Sequence, residues 1–224
     1  MTEGQQPRRT LRRDAERNRR RVIDGARALF AERGLEATLN DVAHQANVGV
    51  GTVYRRFATK EELLEAIFED GIEQIAALAE SALHHDDSWD GFVWFVEQTC
   101  ELTATDRGLR EMLYSKAYGG YRVERARLRL DPFVSTLVER ARRDGHLRPG
   151  VEPTDMPIMS LLAGAVVEWA GHVEPDLWRR YVALLLEGMR AHPGQRPIAV
   201  DALDDDRMDE AMKGWHPAGR PTTG

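Results

Sequence analysis

The feature that most constrains this chain is the stretch Thr38–Phe57, TLNDVAHQANVGVGTVYRRF, whose pattern predicts two short helices joined by a tight turn. Four apolar residues of the first helix recur at the i, i+3, i+4, i+7 spacing of one helical face: Leu39, Val42, Ala43 and Ala46. Thr38 lies three residues before Asp41, so its hydroxyl can cap the early amides while the carboxylate occupies the positive end of the helix. Asn47 tolerates the left-handed backbone of a sharp turn, and Gly49 permits the start of the next helix.

The second helix of this stretch has one apolar side and one small, basic side. At about 100° per residue, the apolar side carries Val50, Val53 and Phe57. The other side carries Gly51, Thr52, Arg55 and Arg56. A helix fits the major groove of B-DNA, where arginine donates two hydrogen bonds to guanine or binds phosphate and small residues permit a close approach. The pattern favours a DNA-reading helix-turn-helix; the alternative is an ordinary helical hairpin with a solvated basic face.

This stretch and its flanks resemble the TetR-type transcriptional repressors. The matching segments are ARALFAERGLEAT, VAHQANV, GTVYRRF and TKEEL, within about Arg20 to Phe68. The resemblance implies an all-α fold: an N-terminal three-helix DNA-binding domain and a larger helical ligand-binding and dimerisation domain, about nine helices in total. Two positions depart from the family pattern. Asn47 stands where the family usually has Gly, and Gly49 replaces a Ser-like cap, which removes a bond worth about 1 kcal/mol at most.

The residues that we expect to contact DNA lie in and beside the two short helices: Thr38, Val50, Gly51, Thr52, Tyr54, Arg55, Arg56 and Lys60. The two arginines and Thr52 would meet base edges or flanking phosphates, while the small residues let the helix axis come close. For Tyr54 and Lys60, the resemblance implies contacts to phosphate.

Charge is divided unevenly along the chain. Residues 1–60 hold 13 Lys+Arg and 7 Asp+Glu, a net charge of +6, whereas the remainder carries −12 and the whole chain −6. A basic N-terminal quarter ahead of an acidic body attracts phosphate at one end only. The overall acidity therefore does not count against DNA as a partner.

The sequence predicts four segments. Residues 1–14 have no apolar periodicity and are rich in arginine, which predicts a disordered basic arm that lies along phosphates, enters a minor groove or is a solvated tail. Residues 15–59 form the helix-turn-helix domain and residues 60–192 the helical effector-binding and dimerisation domain. Residues 193–224 are rich in Pro, Gly and Asp and are expected to be a flexible acidic tail.

Bulky side chains are in surplus in the helices that follow residue 89, and we expect seven of them to line an effector pocket: Trp94, Phe95, Met112, Tyr114, Tyr118, Phe133 and Trp169. The alternative is that these residues fill a core. The resemblance implies a small effector, here apolar or aromatic, whose binding shifts the fourth helix and changes the separation of two DNA-reading helices.

Two helices near the C-terminus predict a subunit interface. Residues 158–170, IMSLLAGAVVEWA, are apolar nearly all round and need cover on both sides. The resemblance implies a homodimer through these helices, with Leu162, Val166, Trp169, Trp178, Tyr181, Leu185 and Met189 at the interface. Burial within one subunit is the alternative. Two-fold symmetry would place two recognition helices in successive major grooves, about 34–36 Å apart, on a roughly palindromic operator.

Several classes of function are disfavoured. The sequence has no apolar run near the roughly 18 residues of a membrane span and no secretory signal, so we expect a cytoplasmic protein without a membrane partner. Its lone cysteine, Cys100, excludes an internal disulfide. No Ser-His-Asp, HExxH, Walker or CxxC pattern indicates catalysis, so we expect no catalytic residue, metal or cofactor. Two alternatives to an effector-released repressor are an activator or ligand-independent regulator and an all-helical enzyme.

Overall fold

The computed structural model describes residues 6–33, 37–106, 109 and 121–214, and in these residues it contains nine helices and no β-strand. The helices are α1 (Gln6–Arg33), α2 (Leu39–Gln45), α3 (Val50–Arg56), α4 (Lys60–Ala82), α5 (Ser88–Thr105), α6 (Tyr121–Arg143), α7 (Asp155–Ala170), α8 (Leu177–Met189) and α9 (Asp205–Gly214). The predicted all-α class is confirmed. Among these helices none is long and apolar enough to cross a membrane.

Backbone contacts divide the chain into two compact units, residues 1–67 and 68–224, and the division falls within α4. The core of the first unit contains an apolar stripe of α1, the apolar face of α2 and the inner side of α3. Its fully buried side chains include Val22, Ile23, Ala26, Leu29, Phe30, Val42, Ala43 and Val53. The side-chain spacing of 3.6 residues per turn therefore predicted the packed face of α2 correctly, together with the buried Val53 of α3.

α1 begins at Gln6, nine residues before the predicted start, so the expected disordered arm is wrong for residues 6–14. Pro7 lies in the first turn, where a missing amide hydrogen costs nothing, and the residues after it are mostly strong helix formers. Arginine content suggested disorder, but arginine also has a high helix propensity. Residues 1–5 lie outside the described part of the chain.

α5 lies at the centre of the second unit and packs against α6, α7 and α8. The core around it contains aromatic residues, among them Trp89, Phe92 and Phe95, together with Leu137, Val138 and Met159. Burial raises the pKa of the Cys100 thiol to about 12 because the thiolate would lose its hydration. Cys100 is therefore a protonated, apolar part of this core.

The segment after α8 is docked over the part that the structure describes, residues 193–214, so the prediction of a flexible tail is wrong there. The Thr154 hydroxyl donates to the Leu203 carbonyl at 2.7 Å, and Arg127 forms an ion pair with Asp209 at 3.6 Å. Met208 of α9 is 9% exposed. Composition was misleading because a few apolar and charged anchors are enough to hold a polar segment. Residues 215–224 lie outside the described chain.

Gly25 of α1 provides a test of how closely α1 and α2 must pack. A Cβ at this position would lie 2.9 Å from both Cα and Cβ of Ala46, at the end of α2. Gly25→Ala should lower the free energy of unfolding by about 1–3 kcal/mol, the usual cost of overpacking. Gly51→Ala is the matched control, because no atom lies within 4 Å of its added Cβ and alanine favours the helix by about 0.5–1 kcal/mol. Urea denaturation of the two variants measures both effects, and an unchanged Gly25→Ala protein would contradict the contact.

Candidate nucleic-acid interface

The turn between α2 and α3 is held by a two-bond motif at the end of α2. Asn47 has φ of +50°, in the left-handed region that the sequence predicted. The Val48 amide donates to the Ala43 carbonyl at 3.0 Å, and the Asn47 amide donates to the His44 carbonyl at 3.1 Å. This pair of bonds is the Schellman arrangement, in which glycine is the usual left-handed residue. Asparagine makes the same turn here, so the departure from the family pattern leaves the geometry intact.

α3 is anchored by two buried side chains. Val53 is fully buried and Phe57, which follows the helix, is 3% exposed. Gly49 provides no side-chain cap, as expected, and its carbonyl accepts from the Thr52 amide at 2.8 Å. Val50 was predicted on the packed side but is 38% exposed, because it occupies the first turn and lies at the edge of the buried stripe.

The opposite face of α3 is open and basic. Tyr54 is 48% exposed, and Arg55 and Arg56 are also exposed. No atom lies within 4 Å of a Cβ built on Gly51. The Arg55 guanidinium donates to the hydroxyl of Thr52 at 3.3 Å. α3 therefore presents a narrow surface with two cationic side chains, and the structure brings these predicted residues together on one face.

The two flanking residues of the predicted set lie at helix starts. The Thr38 backbone amide and its hydroxyl donate to Asp41 Oδ2, at 2.8 and 2.6 Å, and the Asp41 amide donates to Thr38 Oγ1 at 3.3 Å. These bonds form the predicted cap of α2, and the Thr38 side-chain hydrogen bond lowers the pKa of Asp41. Lys60, the first residue of α4, places its Nζ 5.8 Å from the centre of the Phe30 ring.

Arg21 on α1 is a positioning residue that sequence reasoning missed. Its guanidinium donates to the carbonyls of Ala46 and Asn47, both at 3.3 Å, and so satisfies two acceptors in the turn before α3. The available signal was its spacing of four residues from Gly25, because both positions lie on one side of α1. Arg21 contacts the turn, and Gly25 allows α2 to approach.

The residues predicted to line an effector pocket are dispersed. Phe95 is buried in the core, while Trp94 and Phe133 are half-buried against it. Trp169 is 78% exposed, so its assignment to a pocket inside one chain is wrong. It shares a helical face with Ile158 and Leu162, which are also exposed, whereas α7 buries its other side. Met112, Tyr114 and Tyr118 lie outside the described residues.

The outer faces of α7 and α8 expose several large apolar side chains, alongside charged residues such as Arg179, Arg180 and Glu187. Large exposed side chains on or next to these helices are Ile158, Leu162, Trp169, Val173, Tyr181 and Leu184. Val166, Leu185 and Met189 are partly buried against the core. Trp178 is 3% exposed and faces inward with Val182 and Leu186, so its assignment to a subunit interface is wrong. The four-residue spacing of these three residues could have identified the inward face of α8.

Two family models match this chain. One, described as bacterial regulatory proteins of the tetR family, matches residues 22–67. The other, described as the C-terminal domain of SbtR-like transcriptional regulators, matches residues 87–191. The first match covers the C-terminal part of α1 from residue 22, together with α2, α3 and the start of α4, and the second covers α5 to α8. Each match therefore falls within one of the two compact units.

Individual proteins give the same picture. An HTH-type transcriptional regulator of Staphylococcus aureus (strain USA300) is 34% identical over 64 residues, which are 28% of this chain and 35% of that protein. The chain therefore aligns with about a third of the length of that relative. A solved TetR transcription regulatory protein from Mycobacterium vanbaalenii is 29% identical, with a TM-score of 0.58, over 81% of this chain and 99% of that chain. A gamma-butyrolactone receptor described as ArpA-like shares the fold, with a TM-score of 0.60 at 21% identity over 79% and 90% of the two chains.

The cap at Thr38 gives a prediction with a defined dependence on pH. Thr38→Ala removes an N-cap oxygen and should lower the free energy of unfolding at pH 7 by about 1 kcal/mol. The lowered pKa of folded Asp41 means that its contribution is present above the unfolded pKa and is lost as pH falls through the folded value. The difference between variant and parent should therefore shrink in acid. Urea denaturation of both proteins at a series of pH values from 7 downward measures this difference in the free energy of unfolding. A difference that grows in acid would contradict the assigned cap.

Proposed function

Because the chain belongs to the TetR family of bacterial regulatory proteins, we propose that it is a repressor that occupies a roughly palindromic operator as a homodimer and leaves it when a small effector binds. The observation that carries this proposal is the outer face of α3, where Gly51, Arg55 and Arg56 are exposed together. A duplex in the cytoplasm is the partner that this face fits, because a slim helix can enter the major groove and arginine can read guanine.

Each residue of the proposed contact set has a distinct role. Arg55 and Arg56 donate to base edges or adjacent phosphates, and the hydrogen bond from Arg55 to Thr52 restricts where one guanidinium can point. Gly51 and Val50 allow close approach of the helix axis. Tyr54 and Lys60 bind phosphate through the hydroxyl and the ammonium, while Thr38 fixes the start of α2.

The proposed dimer uses the outer faces of α7 and α8. Several large apolar side chains exposed on neighbouring helices are typical of protein-protein contacts. Leu162, Trp169 and Tyr181 are the principal members of the predicted interface, and Val166, Leu185 and Met189 support them from partly buried positions. Two-fold pairing of the same surface is the commonest way in which soluble proteins cover such a face. It also supplies the two recognition helices that a palindromic operator needs.

An unpartnered hydroxyl in the second unit supports an effector site. Thr99 on α5 is 7% exposed, and its Oγ1 has no hydrogen-bond partner among the described residues. A buried polar atom without a partner costs about 1–3 kcal/mol, which a hydrogen-bonding group on a ligand would recover. We therefore propose an apolar or aromatic effector that carries at least one polar atom, bound among α5, α6 and α7. The gamma-butyrolactone receptor with the same fold is a precedent for a small-molecule ligand.

The contacts of α4 within the second unit support a route for the effector signal. Arg140 of α6 donates to the carbonyls of Leu83, His85 and Asp86, just beyond the end of α4, at 2.6 to 2.9 Å. A movement of α6 therefore acts on the far end of the helix whose first residue is Lys60. Changing operator occupancy from 99:1 to 1:99 requires a preference of about 5.5 kcal/mol for one of two states, and a partial response requires less.

The most informative experiment is a genomic selection. Purified protein is mixed with fragmented chromosomal DNA, the bound fragments are sequenced, and a promoter-reporter assay is run on the enriched promoters. We expect an inverted repeat among the enriched fragments and reduced reporter expression. Increased expression would favour the activator alternative, and an absence of any sequence enrichment would contradict the proposal.

Arginine substitutions on α3 test how sequence is read. Arg55→Ala and Arg56→Ala should each reduce discrimination between operator and unrelated DNA by about 1–3 kcal/mol, since each removes a pair of hydrogen bonds to a base. Fluorescence anisotropy with both DNAs measures the ratio. Arg125→Ala, another exposed arginine but on α6, is the control and should leave the ratio unchanged. Equal weakening on all DNA sequences would identify the α3 arginines as phosphate contacts instead.

Charged substitutions on α7 and α8 test the dimer. Leu162→Glu combined with Leu184→Glu places two carboxylates in the proposed interface and should convert a dimer at micromolar concentration into a monomer. Light scattering gives the mass. Val200→Glu is the matched control, because Val200 is 78% exposed but lies outside both helices. A parent protein that is itself a monomer at this concentration would contradict the interface.

A further inference from the structure

The N-terminal half of α1 concentrates positive charge. Residues 6–21 contain eight arginines and two acidic residues, a net charge of +6, which equals the whole excess of the first 60 residues. Among the side chains of α1 that the structure describes, which begin at Arg17, the first buried one is Val22. The match to the tetR family model also begins at residue 22. The basic segment is therefore an addition to the part of the fold that the family model describes.

The arginines of this segment occupy one side of the helix. At about 100° per residue, seven of them fall within half of the circumference, which also holds Glu16: Arg8, Arg9, Arg12, Arg13, Arg17, Arg19 and Arg20. The other half holds Pro7, Thr10, Leu11, Asp14, Ala15, Asn18 and the eighth arginine, Arg21. In a disordered arm these arginines would not share a side, whereas on a helix they lie on one continuous basic face. In the part of this face whose side chains the structure describes, Arg17 and Arg20 are exposed and Arg19 is half-buried.

The positive charges of this basic face destabilise the helix that carries them. Like charges four residues apart repel each other, as in the pairs Arg8 with Arg12 and Arg9 with Arg13. The first turn also has no acidic residue, although the positive end of the helix dipole favours one. A polyanion along this face would relieve both effects, since it would neutralise the charges that destabilise the helix.

The basic face adjoins the turn that precedes the DNA-reading helix. Arg21, next after the array, donates to the carbonyls of Ala46 and Asn47, and Gly25 one turn later lies against Ala46. The arginine array therefore continues directly from the contact between α1 and the helix-turn-helix. This placement favours DNA, the polyanion that α3 is proposed to read, as the partner of the basic face.

We propose that residues 8–20 of α1 form a second DNA-binding surface, a basic helical face that binds the phosphate backbone outside the half-site read by α3. The proposal rests on the proposed function for the identity of the partner. Twelve residue steps of helix span about 18 Å. Laid along a duplex with about 3.4 Å per base pair, this length extends the contact by about five base pairs for each copy of the chain. The contact is independent of sequence, because phosphates carry no base identity.

The salt dependence of binding tests the surface without knowledge of the operator. The probe is a labelled 40-base-pair duplex of arbitrary sequence, titrated with the full-length protein between 50 and 300 mM KCl. Replacing Arg8, Arg9, Arg12 and Arg13 with Gln keeps a strong helix former at each position. The slope of log K against log salt should fall in magnitude by about 0.9 for each phosphate that the variant no longer neutralises, up to about 3.6 per copy. An unchanged slope would overturn the proposal and would leave an acidic protein as the partner of this face.

The matched control removes the same charge elsewhere. Gln is placed at Arg125, Arg129, Arg143 and Arg207, four exposed positions in the second unit. This variant has the same net charge as the first one, and its slope should equal that of the parent. If the slope falls equally in both variants, the effect belongs to net charge and the proposed surface is rejected.

A composition-preserving exchange tests the helical face itself. In the double variant Arg13→Asp with Asp14→Arg, the net charge stays the same, but an arginine leaves the basic face and an acid replaces it. Removal of one phosphate contact should weaken binding at 0.1 M salt by about eightfold per copy. Parental affinity would show that only the total charge matters and would overturn the helical surface. Because these titrations need no operator, they fail independently of the genomic selection that tests the repressor.

Discussion

The structure of the DNA-reading unit depends on the burial of two side chains, Val53 and Phe57, under a helix that is too short to be stable alone. α3 has seven residues, and an isolated helix below about 12 residues is marginal in water. Its direction is therefore set by what it buries and by the turn that leads into it. The left-handed Asn47 and the two amide bonds of the Schellman motif fix that turn. This packing therefore determines where the exposed arginines Arg55 and Arg56 lie.

α1 supports the same arrangement from the other side. Gly25 lets Ala46 approach to a distance that excludes a larger side chain, and Arg21 binds the carbonyls of the turn. The helix thus combines two tasks: its C-terminal half packs against α2, and its N-terminal half is the basic face. In the proposed complex both halves of α1 serve DNA binding. The C-terminal half orients α3, and the N-terminal half binds the adjacent phosphate backbone.

Most of the helix-turn-helix could be predicted from local chemistry, whereas contacts between residues far apart in the sequence could not. The cap at Thr38, the left-handed Asn47 and the outward arginines follow from rules that act within one or two turns. The start of α1 was placed too late because arginine content suggested disorder. Trp169 was misassigned to the pocket, and Trp178 to the subunit interface, because a helix that is apolar on several faces does not reveal which face meets its own core. The docked segment before residue 214 depends on contacts such as Thr154 with Leu203, which no local pattern encodes.

In the proposed complex, α3 enters the major groove with Arg55 and Arg56 toward the bases, twice per symmetric molecule. Dimethyl sulfate footprinting on a selected fragment tests it most directly, because this reagent methylates the N7 atom of guanine in the major groove, where arginine would bind. We expect two protected groups of guanines about 10–10.5 base pairs apart, on one side of the duplex. Full binding without any protection of guanine N7 would contradict it.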